Sequence, residues 1–345
     1  MHMADALVSP DVGGVLWAAT LGLGAYSIRK VTAGVDDKKI TLMGVMAAFV
    51  FAAQMVNFTI PGTGSSGHLG GGLLLAALLG PYAGFLAMGS VLAIQALCFA
   101  DGGLLAYGCN VFNLGFFTCF LAYPLIYQPI AGDGSSKTKS FIAAMVAAVV
   151  GLQAGAFGVV IETMLSGKTE LPFGAFVALM QPIHLAIGVV EGFVTAAVLA
   201  YVRSASPELL APGATVAVSS ARPKALLGLI LATLVVGIGL SWFASTDPDG
   251  LEWSMEKVSG MAELEVEGGA HETAAGIQAV TAFLPDYGFK SAETEEAEPS
   301  WPAIDAGTSL SGVVGGVLAL GLSALAGLAA FGLRRKPRPA GTGKA

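Results

Sequence analysis

The stretch SFIAAMVAAVVGLQAGAFGVVIETML, residues 140–165, carries one ionisable side chain, Glu162. A second stretch, FGAFVALMQPIHLAIGVVEGFVTAAVLAY at 173–201, follows after a short polar gap. A helix needs about 20 mostly apolar residues to cross a bilayer core, so each stretch is long enough to cross. Working outward, similar runs lie at 12–28, 40–58, 69–79, 82–99 and 104–130. Two more, at 225–243 and 310–333, follow a polar linker. The pattern reads as an all-α polytopic membrane protein with seven spans, then two more.

Composition agrees. Of 345 residues, 54% are hydrophobic and 12% charged, against about 25% charged in soluble chains. That excludes an ordinary soluble enzyme and a disordered chain. The net charge of −7 offers no basic footprint for nucleic acid. Cys98, Cys109 and Cys119 all fall in apolar runs, so no disulfide framework is expected.

The run at 69–79 is short, and 69–99 could be one crossing broken at Gly80-Pro81. Charge decides for two, because cytoplasmic loops collect Lys and Arg. With the N-terminus outside and nine crossings, 14 of the 17 basic residues fall inside. Only Lys168, Lys257 and Lys290 fall outside. The expectation is a multi-pass protein of the cell (inner) membrane, N-terminus out and C-terminus in. The first ten residues lack Lys and Arg, unlike a signal peptide, so a retained outer N-terminus is expected.

Three parts are expected: a membrane core at 1–201, a cytoplasmic linker at 202–223 and an accessory region at 224–345. The last holds two spans around an acidic outer loop, about 244–307. Most of the loop's carboxylates read as groups that keep it soluble.

Few residues in the core can do chemistry. His2 is the most informative. A histidine after a free N-terminal residue offers the Met1 α-amine, its own amide nitrogen once deprotonated, and an imidazole nitrogen. A fourth nitrogen completes a square-planar site of the kind suited to Ni(II) or Cu(II). His68, in the outer loop PGTGSSGH at 61–68, is the candidate fourth donor. The bland alternative for His2 is a frayed surface terminus.

His184 and Glu191 are seven apart and share a helix face. They read as buried polar groups satisfied by neighbouring helices, ahead of direct ligation; a proton relay is the functional alternative. Glu162 is expected to reach the interface at the outer end of its span, and His271, beside Glu272, to be solvated. Gln54, Asn57, Gln95, Asn110 and Asn113 are candidates for interhelical hydrogen bonds or for supporting the metal ligands. No phosphate-binding loop, nucleophile elbow or H-E-x-x-H is present. ATP-driven transport would therefore need another polypeptide.

The opening MHMADALVSP at 1–10 resembles the CbiM/NikM family, the substrate-specific components of cobalt/nickel energy-coupling factor transporters. FAAQMVNF at 51–58, the glycine-rich loop through His68, FADGG at 99–103, NVFN at 110–113 and the stretch from His184 to Glu191-Gly192 extend the match. Ala6 stands where the family has glycine, and Leu7-Val8 replaces a more aromatic pair; neither donates to a metal. DPDGLE at 247–252 and LPDYG at 284–288 resemble a NikN-type accessory subunit with its PDGLE signature. The chain thus resembles a fusion of the two components.

The resemblance implies Ni(II) or Co(II) as transported substrate, held by the Met1 amine, the His2 amide and imidazole, and His68. No organic cofactor is expected. It also implies a transmembrane coupling subunit (CbiQ/NikQ-like), cytoplasmic ATPases (CbiO/NikO-like) and a lipid bilayer around the spans. The NikN-like tail favours nickel. The transported metal would supply nickel enzymes or cobalamin synthesis. The rivals are an ion-coupled secondary transporter using Glu162, His184 and Glu191, and a membrane enzyme, for which no catalytic constellation is found.

Overall fold

The computed structural model describes residues 2–32, 36–167, 172–209, 224–259, 268–290 and 301–333. Met1, most of the linker, parts of the acidic loop and the basic tail lie outside the described residues. The core contains α1 (Pro10–Val31) and α2 (Asp37–Gln54), then a short hairpin of β1 (Phe58–Ile60) and β2 (Ser65–Gly67). Next come α3 (Gly72–Leu79), α4 (Pro81–Phe99), α5 (Tyr107–Ala131), α6 (Lys137–Ser166) and α7 (Phe173–Ala205). The accessory region adds α8 (Lys224–Ile238), α9 (Gly250–Ser259), α10 (Gly269–Thr281) and α11 (Ala306–Gly332).

Short polar side chains start the helices. Ser9, Asp36 and Ser136 accept from Val12, Lys39 and Lys139 backbone N–H groups, and Asp305 accepts from Thr308 N–H. Each satisfies a donor that a helix start leaves open. Among the described residues, five helices are long and apolar enough to cross a membrane: α4, α5, α6, α7 and α11. Their outward faces carry Leu125, Ile142, Phe193 and Leu325, all exposed. A lipid solvent accepts such faces. Helix α2 is buried along most of its length, with α4, α8 and α11 packed around it. Helix α5 is π-helical from Phe112 to Tyr127, with Pro124 inside that segment.

The run at 69–79 differs from a full crossing helix. Only Gly72–Leu79 is helical, about 12 Å at 1.5 Å per residue. Residues 68–71 lead into it as non-helical backbone, buried except at the half-buried Leu69. Such backbone is tolerated at membrane depth only where protein supplies its hydrogen bonds. Here Gln54 Nε2 donates to Gly70 O at 2.8 Å, and Glu191 accepts from the N–H groups of Gly70 and Gly71. Gly80, at φ +80°, then turns the chain, and Gly84 of α4 lies against the backbone of Ala76.

The bundle has two chemically different ends. At one, Arg203 donates to Ser140 Oγ and Tyr201 to Lys224 O. At the other lie His2, His68 and the described parts of the acidic loop. The accessory region is joined to the core: Ser323 on α11 bonds Met43 O, and Phe51 occupies the space a side chain at Gly315 would need.

Candidate metal centre

The first residues are held in place by the loop after α4. Asn110 accepts from Met3 N–H at 2.7 Å and donates to Met3 O at 3.1 Å. Gly103 N–H also reaches Met3 O at 2.9 Å. Asp5 accepts from Ala106 N–H, and the Met3 side chain is fully buried. Leu7 and Val8 are buried before Ser9 opens α1. Residue 2 is thus fixed at its C-terminal side by the Asn110 side chain and one main-chain bond, all on Met3.

His68 arrives from the opposite direction. It follows β2, where Gly67 presses on Ile187 of α7 and leaves no room for a side chain. The His2 and His68 rings stack, with centroids 4.8 Å apart and planes 10° from parallel. His68 Nδ1 lies 3.0 Å from Leu69 O. A carbonyl can only accept, so Nδ1 carries the hydrogen and Nε2 the lone pair. Burial pushes the His68 pKa down to about 3, so the ring is neutral near pH 7. His2 Nδ1 lies 3.1 Å from Asp101 Oδ1, and its Nε2 is buried without a hydrogen-bond partner. Two imidazoles side by side, next to main-chain nitrogen, suit a nitrogen-loving divalent metal. Among the described residues no cluster of three or more His, Cys, Asp or Glu side chains could hold a metal. The Met1 amine lies outside the described residues.

Three residues around the pair were not singled out from sequence. Asp101 sits in a turn where Ala100 and Gly102 both take positive φ. Its other oxygen accepts from the Tyr287 phenol. Against the cost of burial, His2 and Tyr287 hold the Asp101 carboxyl well below the usual range. Asp249 sits in the PDGLE motif beside β2. Ser66 N–H donates to Pro248 O and Ser66 Oγ to Asp247 O, each at 2.8 Å. Asp249 Oδ1 accepts from Leu251 and Glu252 N–H, while Glu252 Oε2 accepts from Asp249 N–H. That is a reciprocal cap on α9, and it gives the motif's acidic pair a structural task. Gly250 then packs on Ile183 and His184 of α7. The signal for Asp101 and Tyr287 was present in FADGG and LPDYG, but not their pairing.

Comparison with known proteins fits this arrangement. The family model of the cobalt uptake substrate-specific transmembrane region, CbiM, matches residues 2–209. The chain belongs to the CbiM family. A PDGLE domain matches residues 223–331. A protein of Archaeoglobus fulgidus, named provisionally as a fused nickel transport protein NikMN, is 34% identical over 326 residues. That match covers 93% of this chain and 96% of the relative. The fused nickel transport protein NikMN of Rhodobacter capsulatus is 32% identical over 61% of this chain and 64% of its own length. A solved truncated transition metal transporter is 30% identical, with a TM-score of 0.53, over 59% of this chain and 99% of that one.

The remaining polar residues of this CbiM-family chain have mostly structural partners. Glu162 does not reach an interface: it is buried, and Asn113 Nδ2 donates to it at 2.7 Å. Small residues around it, Gly158 among them, let the two helices close over the pair. Nor is His271 solvated. It is buried, with Nε2 2.9 Å from Val8 O, so it ties α10 to the N-terminal segment. Gln95 Nε2 donates to Gln54 Oε1, extending the bond from Gln54 to Gly70. Asn57 accepts from Ser245 N–H through its main-chain carbonyl. His184 Nδ1 lies 2.8 Å from Met180 O, and its Nε2 is buried without a hydrogen-bond partner.

Proposed function

We propose that this chain is the substrate-binding membrane component of an ATP-driven energy-coupling factor importer of Ni(II) or Co(II), with nickel favoured. The observation that carries the reading is the stacked His2–His68 pair at 4.8 Å beside the start of the chain. The substrate metal would be held by the Met1 amine, the His2 amide and imidazole, and His68. Four nitrogens in a plane reject Mg(II) and Ca(II), which take oxygen ligands. Amide deprotonation makes capture weaken as pH falls. Nickel is favoured because a relative that matches across both parts of the chain carries nickel in its name.

The site end faces outward in this reading, with N-terminus out and C-terminus in. Arg203, bonded to Ser140, and Lys224, whose carbonyl accepts from Tyr201, lie at the other end and support that orientation. Residues 1–201 capture the metal, 202–223 link, and 224–345 cover the site. A transmembrane coupling subunit and cytoplasmic ATPases supply the energy for release. The chain itself is not an enzyme.

Substituting His2 by alanine tests the reading. It removes the imidazole of the chelate and leaves the Met1 amine and His68 in the chain. Ni(II) affinity, measured by titration calorimetry on the purified full chain, should fall at least ~1000-fold, about 4 kcal/mol. Unchanged affinity would sink the chelate.

A further inference from the structure

His68 follows β2 directly, and β2 pairs with one short strand. The hairpin matches Phe58 with Gly67, Thr59 with Ser66 and Ile60 with Ser65. A lone two-stranded hairpin is marginally stable at best. The accessory segment 245–249 runs along this one. Ser245 N–H donates to Asn57 O and Ser66 N–H to Pro248 O, each at 2.8 Å, and Ser66 forms a parallel bridge with Asp249. Side chains fasten the segment further. Ser66 Oγ donates to Asp247 O at 2.8 Å. Thr59 Oγ1, on the opposite strand, lies 2.7 Å from Ser245 Oγ and 3.2 Å from Asp247 Oδ2. On its other side the hairpin meets α7, where Gly67 lies against Ile187. The strand that delivers His68 is therefore wedged between the core and the accessory region.

We propose that Ser66 is a positioning residue for His68: it docks β2 onto the accessory segment 245–249, which fixes where the His68 ring is presented to the metal. This rests on the reading of His68 as a metal ligand. The ring's tautomer is already set, because Nδ1–H is committed to Leu69 O and Nε2 keeps the lone pair. What remains to be set is the place of the ring. A ligand group has to be held within about 0.5 Å of its productive geometry, and a three-pair hairpin does not hold that tolerance by itself. Ser66 lies two residues before His68 and gives both its N–H and its hydroxyl to the accessory segment. The accessory region then acts on affinity without contributing a metal-binding atom.

The test uses the purified full-length chain in detergent, with Ni(II) alone as probe. Ser66→Ala removes the hydroxyl bond and keeps the main-chain one. It should weaken Ni(II) binding about 10-fold, the upper end of what one hydrogen bond contributes, and speed release to a chelator by a similar factor. Thr59→Val keeps the shape of an exposed side chain and should weaken binding about 3-fold. The two together should lose more than either. In a His68→Ala background, Ser66→Ala should change the residual affinity less than ~2-fold, because Ser66 reaches the metal only through His68. Wild-type affinity in the Thr59→Val, Ser66→Ala double variant overturns the proposal. So does an equal loss with and without His68, because loosening of the whole accessory cover would weaken binding in either background. If wild type binds neither Ni(II) nor Co(II), or His2→Ala leaves binding intact, the chelate falls first and the positioning with it. A chain that binds, fails with His2→Ala and ignores the double variant refutes the positioning alone.

Discussion

His2 and Glu191 are both buried ionisable side chains, and they differ in what is left over once hydrogen bonds are assigned. At His2, Asp101 takes Nδ1 and nothing takes Nε2. At Glu191, Gly70 N–H uses one oxygen at 2.7 Å and Gly71 N–H the other at 3.1 Å. Glu191 therefore serves the backbone: it caps the stretch that cannot be helical because it leads from the hairpin into α3. An ionisable residue in a membrane core is a functional candidate by default. Counting its partners shows how much of such a group the fold already uses. His184 stands between the two, with Nδ1 on Met180 O and Nε2 open.

Substitution should split the two regions. The largest effect is expected at His68. His68→Ala removes one of four nitrogens and should weaken Ni(II) binding roughly 1000-fold, about 4 kcal/mol, while the chain still folds and extracts into detergent. A variant with normal affinity would remove His68 from the ligand set. The next effect is at Glu191. Glu191→Gln keeps one acceptor oxygen and leaves one buried N–H open, which costs about 1–3 kcal/mol. The loss should appear as a lower unfolding temperature, with Ni(II) affinity changed less than ~10-fold. Were affinity to collapse while the melting point held, Glu191 would belong with the metal ligands and the comparison would fail.

The helical membrane class was legible because hydropathy reports burial in lipid directly, and five of the described helices are long and apolar enough to cross. His2 and His68 stand out in the sequence because so few polar groups compete with them, and the structure brings their rings together. The short α3 was not legible, since GLLLAALL looks the same whether or not the preceding residues are helical. The informative letters were Gly70, Gly71 and Gly72. Gly71 takes φ +78° against Val50, and Gly72 leaves no space between itself and Thr118. Glu162 and His271 were misread for another reason. Their partners lie 49 and 263 residues away, and no periodicity reports such pairings. Asp101 and Tyr287, 186 residues apart, escaped in the same way.

The smallest expected effect concerns the metal-free chain. Burial lowers the His68 pKa from 6.5 to about 3 in the folded state. Between those values the unfolded chain binds a proton that the folded chain refuses, so acid favours unfolding. The stability from a neutral His68 is complete above pH 6.5 and erodes as pH falls towards 3. The slope approaches 1.4 kcal/mol per pH unit, so the loss at pH 5.5 is roughly 1.4 kcal/mol. His68→Ala has no such proton to exclude. The difference in unfolding free energy between wild type and His68→Ala, measured without metal, should therefore shift by about that amount between pH 7.5 and 5.5, against the wild type. Glu191→Gln keeps the His68 ring, so its difference from wild type should show no His68-linked slope over the same range. A pH-independent gap for His68→Ala would mean that the ring titrates alike in the folded and unfolded chains. The contrast between a ligand-facing imidazole and a backbone-serving carboxylate would then lose its physical basis at His68.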